Sequence, residues 1–137
     1  MAPIEKILEV VLYVEDPERA KSFYCDVLGF KEIDRYDRGF SLNVGDNSVL
    51  LLFQRGASLR GARAPGGWIP PHDGSGQQHI AFAVREGDLD RWRDRLEMAG
   101  VKIESEVTWP RGGRSIYFRD PDGHSIELVA PGTWPIY

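Results

Sequence analysis

The sequence predicts an α+β protein made of two βαβββ modules, each with a curved sheet and one helix on its outer face. Three observations carry this. A strand followed by a proline-started, glycine-stopped helix spans residues 7–29, and the same grammar returns at 78–100. Glu9 and His79 stand 70 residues apart and Gly29 and Gly100 stand 71 apart, so the two copies align almost without gaps. A turn former pair precedes the last strand of each copy, Asp46-Asn47 and Asp122-Gly123, 76 residues apart. A chain of 137 residues is one domain or two very small halves sharing a core. The repeat resolves this into a single domain, 1–137, made of a first module at 5–56, a connector at 57–77 and a second module at 78–132.

Each element has its own warrant. Ile7 to Val14 is a β-branched apolar run bounded by charge, which predicts a buried strand. Asp16 is an N-cap candidate with Pro17 at the first helical position. Ala20, Phe23, Tyr24, Val27 and Leu28 then recur at helical spacing, and Gly29 can end the helix. Strands follow at 30–35, 40–44 and 49–54. In the second copy the strand is Gln78 to Val84, and Leu89, Trp92, Leu96 and Ala99 mark a helix face stopped by Gly100. Short strands at 101–103, 114–119 and 125–129 complete it.

Composition narrows the function classes. Seventeen Lys and Arg against 21 Asp and Glu leave a formal charge of −4, which argues against a general nucleic-acid binder. No apolar run approaches the roughly 20 residues of a membrane helix, and the N-terminus lacks the pattern of a secretory signal. The single cysteine, Cys25, forbids an internal disulfide and excludes cysteine-rich zinc sites. These features describe a small, soluble, cytoplasmic protein. Residues 57–77 are dense in Gly and Pro and read as a linker, with Trp68 and Ile69 packing on the surface or at a subunit contact.

Strand alternation assigns faces. Val10, Leu12 and Val14 suit helix packing, as do Ile80, Phe82 and Val84. This leaves Glu9, Val11 and Tyr13, and His79, Ala81 and Ala83, on the concave faces. Glu9, His79 and Glu127 then fall on repeat-related inward positions in otherwise apolar strands, with Leu51 as the fourth equivalent. Two carboxylates and an imidazole gathered out of water require protons or a cation. Three such ligands with open positions describe a catalytic metal site. Taken singly, each residue has a plainer account: an exposed strand end, a satisfied core histidine, a carboxylate paired with arginine.

The segments LEVVLYVEDPERAKSFYCDVLGF (8–30), QHIAFAV (78–84) and YFRDPDGHSIELVAP (117–131) resemble the vicinal oxygen chelate superfamily. That group contains glyoxalases, fosfomycin-resistance enzymes, extradiol dioxygenases and bleomycin-resistance proteins. The resemblance implies paired βαβββ modules forming an open, barrel-like mixed sheet with the helices outside, in a homodimer. It also implies metal ligands on the first and last strands of each module, making His79 and Glu127 ligands. Glu9 stands where many relatives carry histidine. Leu51 stands where glyoxalases carry a fourth ligand, and Val11 where the fosfomycin enzymes carry a threonine.

The expected activity is that of a metal-dependent lyase, isomerase or dioxygenase acting on a small, partly apolar substrate with two neighbouring oxygens. A divalent ion (Mn, Fe(II), Ni, Zn or Mg) would serve as Lewis acid. The alternative is a metal-free, drug-sequestering protein of the bleomycin-resistance type. Glu9 could act as general base and Tyr117 as a hydrogen-bond donor, with Val11, Tyr13, Leu51, Phe53, Ala81 and Tyr117 lining the substrate pocket. His72 could reach the site from the linker, although a loop histidine is more often solvated. Arg114 could steer an anionic substrate or simply flank a solvated turn. His124 reads as a surface residue, and Trp109 and Trp134 as packing or dimer contacts.

Overall fold

A computed structural model describes residues 1–137, which divide into two compact units, Met1–Gly76 and Gln77–Tyr137. The first runs β1 (Glu9–Val14), α1 (Pro17–Ser22) with a π-helical turn at Phe23–Val27, β2 (Lys31–Tyr36), β3 (Gly39–Val44) and β4 (Ser48–Gln54). A small hairpin follows, β5 (Ala62–Ala64) and β6 (Gly67–Ile69). The sheet order is β1-β4-β3-β2, with β1 parallel to β4 and the other pairs antiparallel. A parallel pair needs a long crossover, and the helix with β2 and β3 supplies it.

Asp16 caps α1: its carboxylate accepts the backbone N–H of Glu18 at 3.0 Å and of Arg19 at 3.3 Å, with Pro17 at the first helical position. Gly29 ends the helical segment at φ 79°. There the Phe30 N–H reaches back to the Tyr24 carbonyl at 3.2 Å, a glycine-dependent stop. Leu12, Val14, Ala20, Tyr24, Leu28, Leu42, Leu50 and Leu52 form the buried core of this unit.

The second unit repeats the plan: β7 (His79–Ala83), a 3-10 turn at Glu86–Asp88, α2 (Leu89–Met98), β8 (Ile103–Thr108), β9 (Arg114–Arg119) and β10 (Ser125–Val129). Its sheet order is β7-β10-β9-β8, again with the first strand parallel to the last. The equivalence extends to irregularities. The edge strand is bulged between Glu32 and Asp34 in one unit and between Ile103 and Ser105 in the other, 71 residues apart as at the helix-stopping glycines. Gly100 lies at φ 74°, and Leu89, Leu96, Ile116, Phe118, Ile126 and Leu128 are buried.

Five expectations change. The first strand begins at Glu9; Ile7 and Leu8 are 82% and 58% exposed, and only the Leu8 carbonyl reaches β4, accepting the Val49 N–H at 2.8 Å. Val10 is exposed rather than packed against the helix. The second strand of the second module lies at Ile103–Thr108 instead of 101–103, since Val101 still belongs to the helix stop and donates its N–H to the Leu96 carbonyl. The connector is not a bare linker: β5 and β6 pair antiparallel across Ala62↔Ile69 and Ala64↔Gly67. His124 is fully buried, and its Nδ1 accepts the Gln78 N–H at 2.9 Å. Its side chain does point away from the Glu127 face, but that direction leads into the core.

Candidate functional site

The strand registers place the candidate residues in matched rows. In the first unit one row is Glu9–Val49–Asn43, the next Val11–Leu51–Ser41, the next Tyr13–Phe53–Gly39. In the second unit the same rows read His79–Ser125–Arg119, Ala81–Glu127–Tyr117 and Ala83–Val129–Ser115. The pseudo-equivalence of Glu9 with His79, and of Leu51 with Glu127, therefore holds strand for strand.

Polar chemistry concentrates in the second unit. Glu127 is buried. Its Oε1 accepts the Ser115 hydroxyl at 2.5 Å, and that hydroxyl accepts the Trp109 indole N–H at 2.8 Å. A hydroxyl has one proton to give, so the indole fixes the direction in which Ser115 donates. The other carboxylate oxygen, Oε2, faces His79 Nε2 at 3.3 Å. His79 Nδ1 sits 2.9 Å from the Ser125 carbonyl, which can only accept, so Nδ1 carries the proton. Nε2 therefore faces the carboxylate as the second nitrogen of an oriented imidazole, an arrangement in which both atoms can turn lone pairs to one cation. The Tyr117 ring stacks on the His79 imidazole with centroids 6.2 Å apart. Burial, and then its hydrogen bond to Glu127 and that residue's charge, hold the Tyr117 phenol above its ordinary pKa, so it remains a proton donor at neutral pH.

The first unit holds a cavity of about 860 Å³, lined by Glu9, Val11, Tyr13, Leu51 and Phe53 from the sheet and by Ile69, Pro70 and His72 from the hairpin arm. Val11, Tyr13, Leu51 and Phe53 thus line one space, as their alternation predicts. Ala81 and Tyr117 lie in the other unit, where Ala81 is exposed beside Glu127 in register. His72 is not a solvated loop residue: its Nδ1 meets the Tyr13 hydroxyl at 2.6 Å and its ring stacks on Phe53 at 5.8 Å.

His79 and Glu127 meet within the second unit, and Glu9 lies on the cavity wall of the first; within neither unit do three His, Cys, Asp or Glu side chains gather. The expectation of three buried ionisable groups also changes. Only Glu127 is buried, while the His79 side chain is 52% exposed and Glu9, as the first residue of β1, is open to solvent. Arg114 is held by Asp90 of α2 at 3.2 Å, so its charge is spent on tying β9 to the helix. Trp109 and Ser115 are site residues that the pattern did not reveal. The alternation places Ser115 on the Tyr117 face, but the indole contact arises from the 109–113 turn, where the Trp109 N–H donates to the Gly113 carbonyl at 2.7 Å.

Two βαβββ sheets of matching register, one with a histidine on its first strand and a carboxylate on its last, define a protein built by duplication. The chain belongs to the Glyoxalase/Bleomycin resistance protein/Dioxygenase superfamily, whose sequence profile matches residues 6–128. It is 32% identical to the glutathione transferase FosA of Serratia marcescens over 128 residues, covering 91% of this chain and 80% of that protein. It is 29% identical over 133 residues to the fosfomycin resistance protein FosX of Listeria monocytogenes, covering 93% and 90%. Among solved structures, lactoylglutathione lyase from Agrobacterium tumefaciens superposes with a TM-score of 0.88 at 33% identity, covering 98% of this chain and all of that one. No helix is long and apolar enough to cross a membrane.

Proposed function

We propose that this protein is a divalent-metal-dependent enzyme that transforms a small, partly apolar substrate carrying two neighbouring oxygens, by lyase, isomerase or dioxygenase chemistry. The observation that carries the reading is the His79–Glu127 pair. One imidazole nitrogen is anchored to a carbonyl, the other faces a buried carboxylate, and that carboxylate is held in turn by Ser115 and Trp109. Orientation of metal ligands by such outer contacts is a general feature of metal sites. His79 and Glu127 would hold the ion, and Glu9 is the remaining candidate ligand, supplied from the first unit of the same chain or of a second copy. A bound divalent ion would act as Lewis acid on the substrate oxygens. Tyr117, kept protonated, offers a hydrogen bond to an oxygen on which negative charge develops. Glu9, where it is not a ligand, is free to accept a proton from the substrate.

The relatives named as a glutathione transferase, a fosfomycin resistance protein and a lactoylglutathione lyase support an enzymatic activity on a small molecule. Leu51 and Val11 distinguish this chain from the ligand sets the family resemblance implies for glyoxalase and fosfomycin chemistry, so the substrate is taken as distinct from both. A homodimer is part of the proposal, and the exposed Ile4, Ile7, Leu8, Trp68 and Trp134 support it as apolar surface suited to a second copy. The test is metal analysis of tag-free protein after reconstitution with Mn(II), Fe(II), Ni(II) and Zn(II). Stoichiometric binding that is lost in His79→Ala is expected. Absence of binding for all four ions would overturn the reading.

A second reading, sequestration of a small molecule without metal, is favoured by one observation, the largely aromatic and aliphatic cavity of the first unit. It predicts ligand binding that survives Glu127→Gln unchanged and no turnover with any metal.

A further inference from the structure

The arm that crosses the first unit places one imidazole with unusual care. Its return segment is pinned by the His72 N–H donating to the Ser58 carbonyl at 3.1 Å and by the Asp73 carboxylate accepting the Gly56 N–H at 2.9 Å. Gly74 lies so close to Tyr13 that a Cβ there would fall 2.5 Å from the ring, so the arm packs on the tyrosine with no side chain between. Tyr13 then meets His72 Nδ1 at 2.6 Å, and Phe53 stacks beneath the imidazole. A phenol is a far stronger acid than a neutral imidazole N–H, so the phenol donates and Nδ1 accepts. The remaining proton must sit on Nε2, which makes no hydrogen bond within the chain, on a residue that lines the cavity. A fixed, unused donor in an aromatic wall is a recognition element.

Charge narrows what it recognises. Arg38 and Asp37, both on the cavity wall, pair with each other at 4.0 Å. Glu9 is left as the uncompensated charge on the wall, which disfavours an anion. The aromatic walls, with Tyr36 edge-on to Phe53 at 5.9 Å, suit a flat ring. A cavity of about 860 Å³ lies at the upper end of ligand pockets.

We infer that His72, positioned by Tyr13, is the specificity-determining donor of a pocket that takes neutral, ring-bearing carbonyl compounds, with the Nε2–H on the carbonyl oxygen and the ring against Phe53. This names the ligand class of the first unit's cavity, and it rests on the reading above only for any step that follows binding.

The test uses the whole chain treated with chelator, so that its outcome does not depend on any metal. The probes are 2-acetylnaphthalene and its shape-matched alkene, 2-isopropenylnaphthalene, which lacks the carbonyl oxygen. Imidazole-detected NMR reports on the His72 Nε2–H, and fluorescence gives the dissociation constants. The wild-type protein is expected to bind the ketone about three- to tenfold more tightly than the alkene, as one neutral hydrogen bond allows, with a shift confined to the His72 resonance. His72→Phe should abolish the preference while keeping the affinity for the alkene, and His72→Gln, which retains an N–H, should restore part of it. Tyr13→Phe, which frees the proton to move to Nδ1, should reduce the preference without removing the site. Equal affinity for ketone and alkene in the wild type, or an unchanged preference in His72→Phe, would overturn the inference. Loss of turnover in metal-loaded enzyme with these results intact would instead count against the metal chemistry alone.

Discussion

The two units are built on one register and filled with different chemistry. The row that reads Val11–Leu51–Ser41 in the first reads Ala81–Glu127–Tyr117 in the second, and Tyr13–Phe53–Gly39 answers to Ala83–Val129–Ser115. In the first unit the large side chains come from the two parallel strands, and Gly39 leaves the room Phe53 occupies, since a Cβ at 39 would lie 2.4 Å from its ring. In the second unit β7 carries alanines, its parallel partner β10 carries Glu127 and Val129, and the antiparallel β9 supplies Ser115 and Tyr117 to that carboxylate. One sheet geometry thus yields an aromatic wall in one copy and an oriented carboxylate–imidazole pair in the other. Backbone pairing sets which residues can meet, and side-chain volume then decides which of them reach one another.

This comparison can be tested at several depths. The largest expected effect concerns what the units share. Leu52 and Leu128 are repeat-related and essentially buried, so Leu52→Ala and Leu128→Ala should each cost about 2–5 kcal/mol in denaturant unfolding. A loss well below that range in one unit would show that its helix packs more loosely than its counterpart. The next effect concerns where they differ. Glu127→Gln should weaken divalent-metal binding on the order of 100-fold by calorimetry, and Leu51→Gln at the equivalent position should leave it unchanged. Ser115→Ala removes the support behind Glu127 and should cost roughly tenfold in the same measurement. A tenfold loss there with unaltered unfolding would assign Ser115 to orientation rather than to stability.

Smaller effects separate the helices. Asp16 caps α1 through two backbone bonds, whereas Asp88, before α2, makes no side-chain capping bond. Asp16→Ala should therefore cost about 1 kcal/mol, and Asp88→Ala less than about 0.5 kcal/mol, as read from denaturation midpoints. The least effect lies at alkaline pH. Burial, and then the charge of Asp73, push the Tyr13 phenol up, and burial and Glu127 do the same for Tyr117. A folded-state pKa above the unfolded one gives stability that is complete below the ordinary tyrosine value and declines as pH rises through the raised one. Ultraviolet titration of phenolate should show a late-ionising component that loses one tyrosine in Tyr13→Phe and one in Tyr117→Phe.

Much of this was legible in the chain. The capped start at Asp16-Pro17, the stops at Gly29 and Gly100, and the strands at 114–119 and 125–129 follow from local rules that depend on neighbours within a turn. The pseudo-equivalence of Glu9 with His79 and of Leu51 with Glu127 follows from period two and the repeat offset alone. The hairpin at Ala62–Ile69 was hidden by its glycines and prolines, which read as breakers whether or not short strands lie between them. Arg114 looked available because Asp90 is distant in sequence.

The duplicated βαβββ plan, the faces of its strands and the residues able to carry chemistry are written in the chain, because periodicity and turn chemistry are local. Which of those residues meet is set by the folded arrangement. His79 finds Glu127 because β7 and β10 pair in parallel, and His72 finds Tyr13 because the arm folds back over β1. Both contacts join positions more than 45 residues apart. At such separations, long-range pairing and packing decide which groups meet, and no local pattern records the outcome.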